Sequence, residues 1–146
     1  MPATPADAQV VMHLYELRRE AEMRKARNWF AMEFNPTTAD EAMKVITDMG
    51  SDANRYFRMV TSFWEMAATM ALHGAVNEEL FLDTQDEIFF IMAKLQPILA
   101  GVREKMRNPH AMAKCETLIN KSEASKQKLQ AFVQRMERLR AMAAAK

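Results

Sequence analysis

The 146-residue sequence predicts an all-α protein, an irregular bundle of four to six helices that ends in a long C-terminal helix. Three observations support this prediction. Glycine is scarce, with three residues, and β-branched residues are few, which favours helix over sheet. No segment alternates polar and apolar residues with the two-residue period of a strand. Helix-capping side chains recur along the whole sequence.

Capping residues indicate where the helices begin. We expect helix N-termini at Thr4, Thr38, Ser51 or Asp52, Asn77 and Asn108. The first helix should continue without interruption to about Glu33. Thr38 and Glu41 have the spacing of a capping box, in which each residue's side chain bonds the other's backbone N–H.

Glycine and proline indicate where the helices end. Gly50 and Gly74 are expected to close the helices before them as C-caps. Pro97 lies within a helical pattern and predicts a kink or break there. Asn108 followed by Pro109 predicts a helix start, because proline is favoured at the first helical position.

The helix predicted over residues 52–73 is apolar around most of its circumference, so we expect it to be the most buried. Its polar residues share one stripe: Arg58, Ser62, Glu65, Thr69 and His73. The favoured interpretation is the polar edge of a central helix, with Arg58 as partner of Glu65. The alternative is a polar cleft formed by Arg58, Glu65 and His73, with a shifted carboxylate pKa.

The C-terminal region has the strongest pattern in the sequence, a heptad spacing typical of helices that wrap side by side. This seam consists of Ala111, Cys115, Leu118, Ser122, Ser125, Leu129, Phe132, Met136, Leu139 and Ala143. We predict a bundle domain over residues 1–121 and a helical extension over 122–146, continuous with the last bundle helix. The small polar residues Ser122 and Ser125 weaken the middle of the seam, and the alternative is a bend there or a helix that leaves its domain at this point. Leu129, Phe132, Met136 and Leu139 are the predicted interface with a second copy, most simply in a dimer. The alternative is that the seam packs only on its own bundle.

The first predicted helix also carries apolar residues on two faces, one with Leu14 and the other with Tyr15. A helix at the surface of a single chain normally has one apolar face. Such a helix either lies between two neighbours or packs inward and also contacts a partner.

Charge is distributed unevenly although the net charge is only +1. Residues 33–102 hold 4 basic and 11 acidic side chains, whereas residues 103–146 hold 11 basic and 4 acidic ones. The two regions can complement each other within one chain or between copies. Alternatively, the basic C-terminal helix binds nucleic acid or another polyanion.

Signatures of catalysis and of cofactor binding are missing, so we predict no enzyme, no cofactor and no metal site. His13, His73 and His110 are far apart, and no zinc, phosphate-loop or dinucleotide motif is present. Cys115, the only cysteine, lies on the apolar seam and is expected to be a buried, inert thiol. No membrane span and no signal segment are evident, so we expect a cytoplasmic protein.

Three segments, LYELRREAEMRKARNWF, SFWEMAATMALHGAVNEELFLD and LQPILAGVREKMRNPHAMAKCETL, resemble a family of uncharacterised bacterial all-helical domains of unknown function. The resemblance covers about residues 10–120 and leaves the heptad tail outside. It implies a helical domain and supplies no catalytic residues. The sequence therefore predicts a non-enzymatic protein–protein interaction or self-association module, with polyanion binding by the basic C-terminal helix as the alternative.

Overall fold

The structure, a computed structural model that describes all residues from 1 to 146, contains eight helices and no strands. The helices are α1 (Pro5–Arg18), α2 (Ala21–Met32), α3 (Ala39–Thr47), α4 (Asp52–Leu72), α5 (Glu78–Thr84), α6 (Asp86–Met106), α7 (Ala113–Asn120) and α8 (Glu123–Ala144). The predicted all-α class is confirmed. The helices number eight rather than four to six, because three of the five predicted helical regions are each divided in two: α1 and α2, α5 and α6, and α7 and α8.

Four of the predicted N-caps lie where the sequence placed them. The side chains of Thr4, Thr38, Ser51 and Asn77 each accept a hydrogen bond from the backbone N–H three residues later. The capping box at α3 is shifted by one residue, because Glu41 accepts from the backbone N–H of Thr37 at 2.7 Å rather than from Thr38.

Gly74 directly follows the C-cap of α4 with a positive φ of 77°, as predicted. Gly50 also has a positive φ, 92°, but α3 ends at Thr47 with Asp48 as its C-cap, so Gly50 belongs to the turn before α4 and is not the C-cap of α3.

The first predicted helix is two helices, which corrects the expectation of one helix up to Glu33. The break falls at Arg19 and Glu20. Glu20 leaves the helical conformation, and its carboxylate accepts a hydrogen bond from the backbone N–H of Met23 at 3.0 Å. A glutamate therefore caps α2 from within a charged run, where the residue types usually preferred at an N-cap are absent.

The two prolines behave differently from the prediction. Pro97 lies inside α6 without interrupting it, so the predicted break is wrong. Buried residues on both sides of Pro97, from Ile88 to Val102, hold the two halves of this helix against its neighbours. Asn108 and Pro109 belong to a turn, and the helix begins only at Ala113.

The predicted continuous C-terminal helix is interrupted at Lys121 and Ser122, between α7 and α8. Ser122 has extended backbone, and its side chain accepts from the backbone N–H of Ser125 at 3.1 Å as the N-cap of α8. The α8 helix, with 22 residues, is the longest in the protein and contacts α6 and α7.

The core is one cluster of apolar side chains with α6 at its centre. The α6 helix buries ten residues and α4 buries six, so the expectation that residues 52–73 form the most buried helix is wrong. The α4 helix packs against α2, α3, α5 and α7, but the side of it that carries Arg58, Ser62 and Met66 remains exposed.

None of the eight helices combines the length and the apolar character that crossing a bilayer requires.

Candidate functional site

The polar stripe of α4 is divided among different partners. Arg58 Nε donates to Asn54 Oδ1 at 3.0 Å and forms no ion pair with Glu65. His73 is exposed at the C-terminal end of α4, away from both. The three residues predicted for a polar cleft are therefore not assembled into one constellation.

Glu65 caps a helix that is remote in sequence. Its carboxylate accepts hydrogen bonds from the backbone N–H groups of Cys115 at 2.8 Å and Lys114 at 3.3 Å. These belong to the first turn of α7, whose own N-cap residue, Met112, offers no side-chain hydrogen bond. A carboxylate is favourable there because the unpaired N–H groups at a helix N-terminus carry partial positive charge.

Cys115 lies beside this contact and is fully buried, at 0% exposure. Burial, followed by the negative charge of Glu65, raises the pKa of the Cys115 thiol well above its ordinary value. The predicted burial of this thiol is confirmed. Its environment disfavours the thiolate, the form that reacts as a nucleophile.

Arg58 and Glu65 do share a groove of about 610 Å³, which His73 does not line. The groove lies between α4 and the C-terminal half of α6, and the end of α3 and the turn at residues 108–112 close its sides. His110 of that turn lines it instead. Most of its surface is apolar.

A second polar group, absent from the sequence prediction, joins α1, α2, α4 and α6. Glu87 accepts hydrogen bonds from Arg27, the shortest at 2.6 Å, and from Trp64 Nε1 at 3.2 Å, and it lies 3.5 Å from Arg18 Nη1. The Glu87 and Arg18 side chains are only 16% and 13% exposed. Burial lowers the pKa of Arg18, an effect that the charge of Glu87 opposes. No local motif indicates this cluster, because Arg27 and Glu87 are 60 residues apart.

Lys94 is a buried amine without a carboxylate partner. Its residue is 4% exposed, and Nζ donates to the backbone carbonyls of Phe30 at 2.6 Å and Ala31 at 3.1 Å. These carbonyls belong to the last turn of α2, which a lysine stabilises by hydrogen bonding and by its charge. Burial lowers the pKa of Lys94 to about 8.

The four residues of the predicted interface differ in their surroundings. Leu129 and Phe132 pack on the core of their own chain, and the Phe132 ring stacks on Phe89 with centroids 6.1 Å apart. Met136 is half-buried, and Leu139 is 59% exposed. From Glu137 onward every residue of the chain is exposed.

The basic residues of α8 fall into two groups. In its first turns, Lys126 pairs with Glu123 at 3.1 Å, and Lys128 pairs with Asp86 at 2.6 Å. Towards its end, Arg135, Arg138 and Arg140 form no ion pair in the chain.

No group of three or more histidine, cysteine, aspartate or glutamate side chains is arranged to hold a metal ion.

Comparison with known proteins bears on the family alone. No curated protein and no solved structure matches the chain. The family model described as "Domain of unknown function (DUF4760)" matches residues 3–122, which include α1 to α7 and exclude α8. This match confirms the predicted membership of an uncharacterised domain family. Because it covers most of the chain, the protein belongs to the DUF4760 family of domains of unknown function.

Proposed function

We propose that the protein is a non-enzymatic interaction module that self-associates through the exposed end of α8. One observation carries the proposal: the heptad seam continues onto the end of α8, where every residue from Glu137 onward is exposed. Leu139 of the seam and Met142, which flanks it, are each 59% exposed. An isolated helical segment of about ten residues is marginal in water, so packing against another helix would stabilise it.

The partner that fits this end is a second copy of the chain. A second α8 supplies a seam of the same spacing, which is the self-complementary arrangement of a two-fold dimer. Parallel pairing would bring Arg138 and Arg140 of both copies together. Antiparallel pairing instead separates them and directs the arginines of each copy towards the bundle of the other.

Charge also favours the antiparallel arrangement. The first half of α8 adjoins the junction of α5 and α6 through Lys128, whose Nζ bonds Asp86 and the carbonyl of Leu82. Glu79 and Asp83 on α5 are exposed and have no ion-pair partner. These carboxylates would receive the unpaired arginines of the second copy.

Substitution at the exposed end of the seam tests the proposal. A chain with Leu139→Asp and Met142→Asp, at the seam and beside it, should be monomeric by light scattering, whereas the wild type is expected to be a dimer. The matched control carries Gln130→Asp and Gln134→Asp, which add the same charge to exposed positions of α8 outside the seam. Leu129 is unsuitable for this test because its substitution also disrupts the core.

The competing function is polyanion binding by the same basic helix end. It predicts a monomeric wild type that binds duplex DNA with an affinity falling steeply as salt rises. A monomeric wild type that binds DNA in this way would overturn the self-association proposal. A wild type and a control variant that are both dimers would support self-association.

A further inference from the structure

The groove between α4 and α6 has the construction of a ligand site. At about 610 Å³ it lies within the range of roughly 300–1,000 Å³ that is usual for small-molecule pockets. Leu95, Leu99 and Val102 of α6 form an apolar floor and are 3%, 5% and 5% exposed. Met49 and Met106 lie at its edge, exposed to 73% and 38%, and their flexible side chains can adapt to an apolar guest.

One guanidinium group is held at this groove without a counter-ion. Asn54, at 1% exposure, donates from Nδ2 to the carbonyls of Val45 at 3.1 Å and Ile46 at 2.9 Å. Its Oδ1 then accepts from Arg58 Nε at 3.0 Å, which fixes the arginine and leaves its terminal nitrogens available. Such a fork of N–H donors matches the two oxygens of a carboxylate.

The groove offers no competing anion to Arg58. Glu65 is the one carboxylate among the residues that line it, and both of its oxygens are engaged by α7. With a single unpaired arginine, the charge that fits is that of a monoanion.

The wall of the groove at the turn of residues 108–112 is rigidly fixed despite an unfavourable backbone. Arg107 and Met112, which flank the turn, are the two non-glycine residues with positive φ, at 54° and 57°. Arg103 Nε donates to the carbonyl of Ala111 at 2.9 Å and holds the turn to α6. Backbone strain of this kind clusters at ligand sites, where the surrounding structure over-determines it.

From these features we propose that the groove binds a single-chain fatty carboxylate, with the hydrocarbon chain on the α6 floor and the carboxylate at Arg58. This site is independent of the α8 seam and does not rest on self-association.

The test is titration calorimetry of the full chain with dodecanoate, below the concentration at which it forms micelles. We expect saturable binding of one molecule per chain. Dodecyltrimethylammonium, with the same chain and the opposite charge, should bind at least about tenfold more weakly because it lacks the charge-assisted bond to Arg58.

Two variants and a control locate the site. Arg58→Gln should weaken dodecanoate binding about tenfold. Ser62→Trp, which places a large ring at an exposed position of the lining, should abolish it. Arg55→Gln is the matched control, because this exposed arginine lies on the same helix and pairs with Glu22 and Asp52 outside the groove. Thermal melts of each variant check that it is folded.

Three results would overturn the proposal: no saturable binding, equal affinity for the two amphiphiles, or unchanged binding by folded Arg58→Gln and Ser62→Trp chains.

Discussion

Glu65 of α4 and Cys115 of α7 are joined by a hydrogen bond of 2.8 Å across 50 residues of sequence, from the Cys115 backbone N–H to a Glu65 carboxylate oxygen. This bond supplies the cap that α7 lacks in its own sequence. Glu65, the one carboxylate within the apolar stretch of α4, is therefore explained by structure: it fixes a second helix, and with it one wall of the groove.

Substitution of this carboxylate should loosen α7. We expect Glu65→Ala to lower the free energy of unfolding by about 1–2 kcal/mol, the usual loss for an N-cap with buried donors left unpaired. Glu104→Ala, at an exposed residue of α6 whose side chain has no hydrogen-bond partner, should change it by less than about 0.5 kcal/mol. Urea unfolding followed by helical circular dichroism measures both. Equal losses in the two variants would show that the cap contributes nothing.

The same substitution should expose the thiol of Cys115. In the native protein, burial and the Glu65 charge raise its pKa, so a thiol reagent should react slowly at pH 8 and quickly in denaturant. Glu65→Ala removes the contribution of Glu65 to the raised pKa, leaves that of burial, and weakens the α7 N-terminus, so the native reaction should accelerate. Rapid modification of the folded wild-type chain would contradict the buried placement of this residue.

Disrupting the cluster around Glu87 should lower the free energy of unfolding more than disrupting a surface ion pair does. Glu87→Gln leaves Arg18 and Arg27 largely buried without a negative charge, and we expect a loss of about 2–3 kcal/mol in unfolding free energy. Glu22→Gln, at the exposed pair with Lys25, should cost less than about 1 kcal/mol. Denaturant titration distinguishes the two, and a smaller loss for Glu87→Gln would refute the structural role of the cluster.

Lys94 should make stability depend on pH in a defined direction. Its folded pKa of about 8 lies below the ordinary 10.5, so between these values the unfolded chain binds more protons and the folded state gains stability as pH rises. The gain attributable to Lys94 is at most about 3 kcal/mol. Lys94→Met removes this titrating group and therefore this dependence of stability on pH.

Other groups titrate in the same window, so the informative quantity is the difference between wild type and Lys94→Met. That difference in unfolding free energy should shift in favour of the wild type from pH 7 to pH 10, measured by urea unfolding at each pH. A difference that stays constant over this range would contradict the lowered pKa.

The sequence predicted helix ends well where the residues that cap the helix are close together in sequence. Thr38 and Ser51 cap their helices through residues three positions away, and Gly74 reverses the chain by its own backbone freedom. The break at Ser122 also had a local signal, since a serine followed by Glu123 is a competent helix start. The continuous heptad pattern concealed it.

The start of α7 and the partners of the buried charged residues depend on contacts between residues far apart in sequence, which the sequence did not indicate. Asn108 and Pro109 look like a helix start, yet α7 begins at Ala113, where Glu65 can reach it. The carbonyl partners of Lys94 are more than 60 residues away in sequence. The sequence indicated Arg58 as the partner of Glu65, but their actual partners, Asn54 and the start of α7, follow only from the packing of the chain.

The most direct test of the central claim is the molar mass of the wild-type chain by light scattering, at about 0.05 M and 0.5 M salt, over a range of concentrations. Association through the apolar seam of α8 predicts twice the chain mass of 16.8 kDa at both salts. A mass of 16.8 kDa at every concentration and at both salts would contradict it.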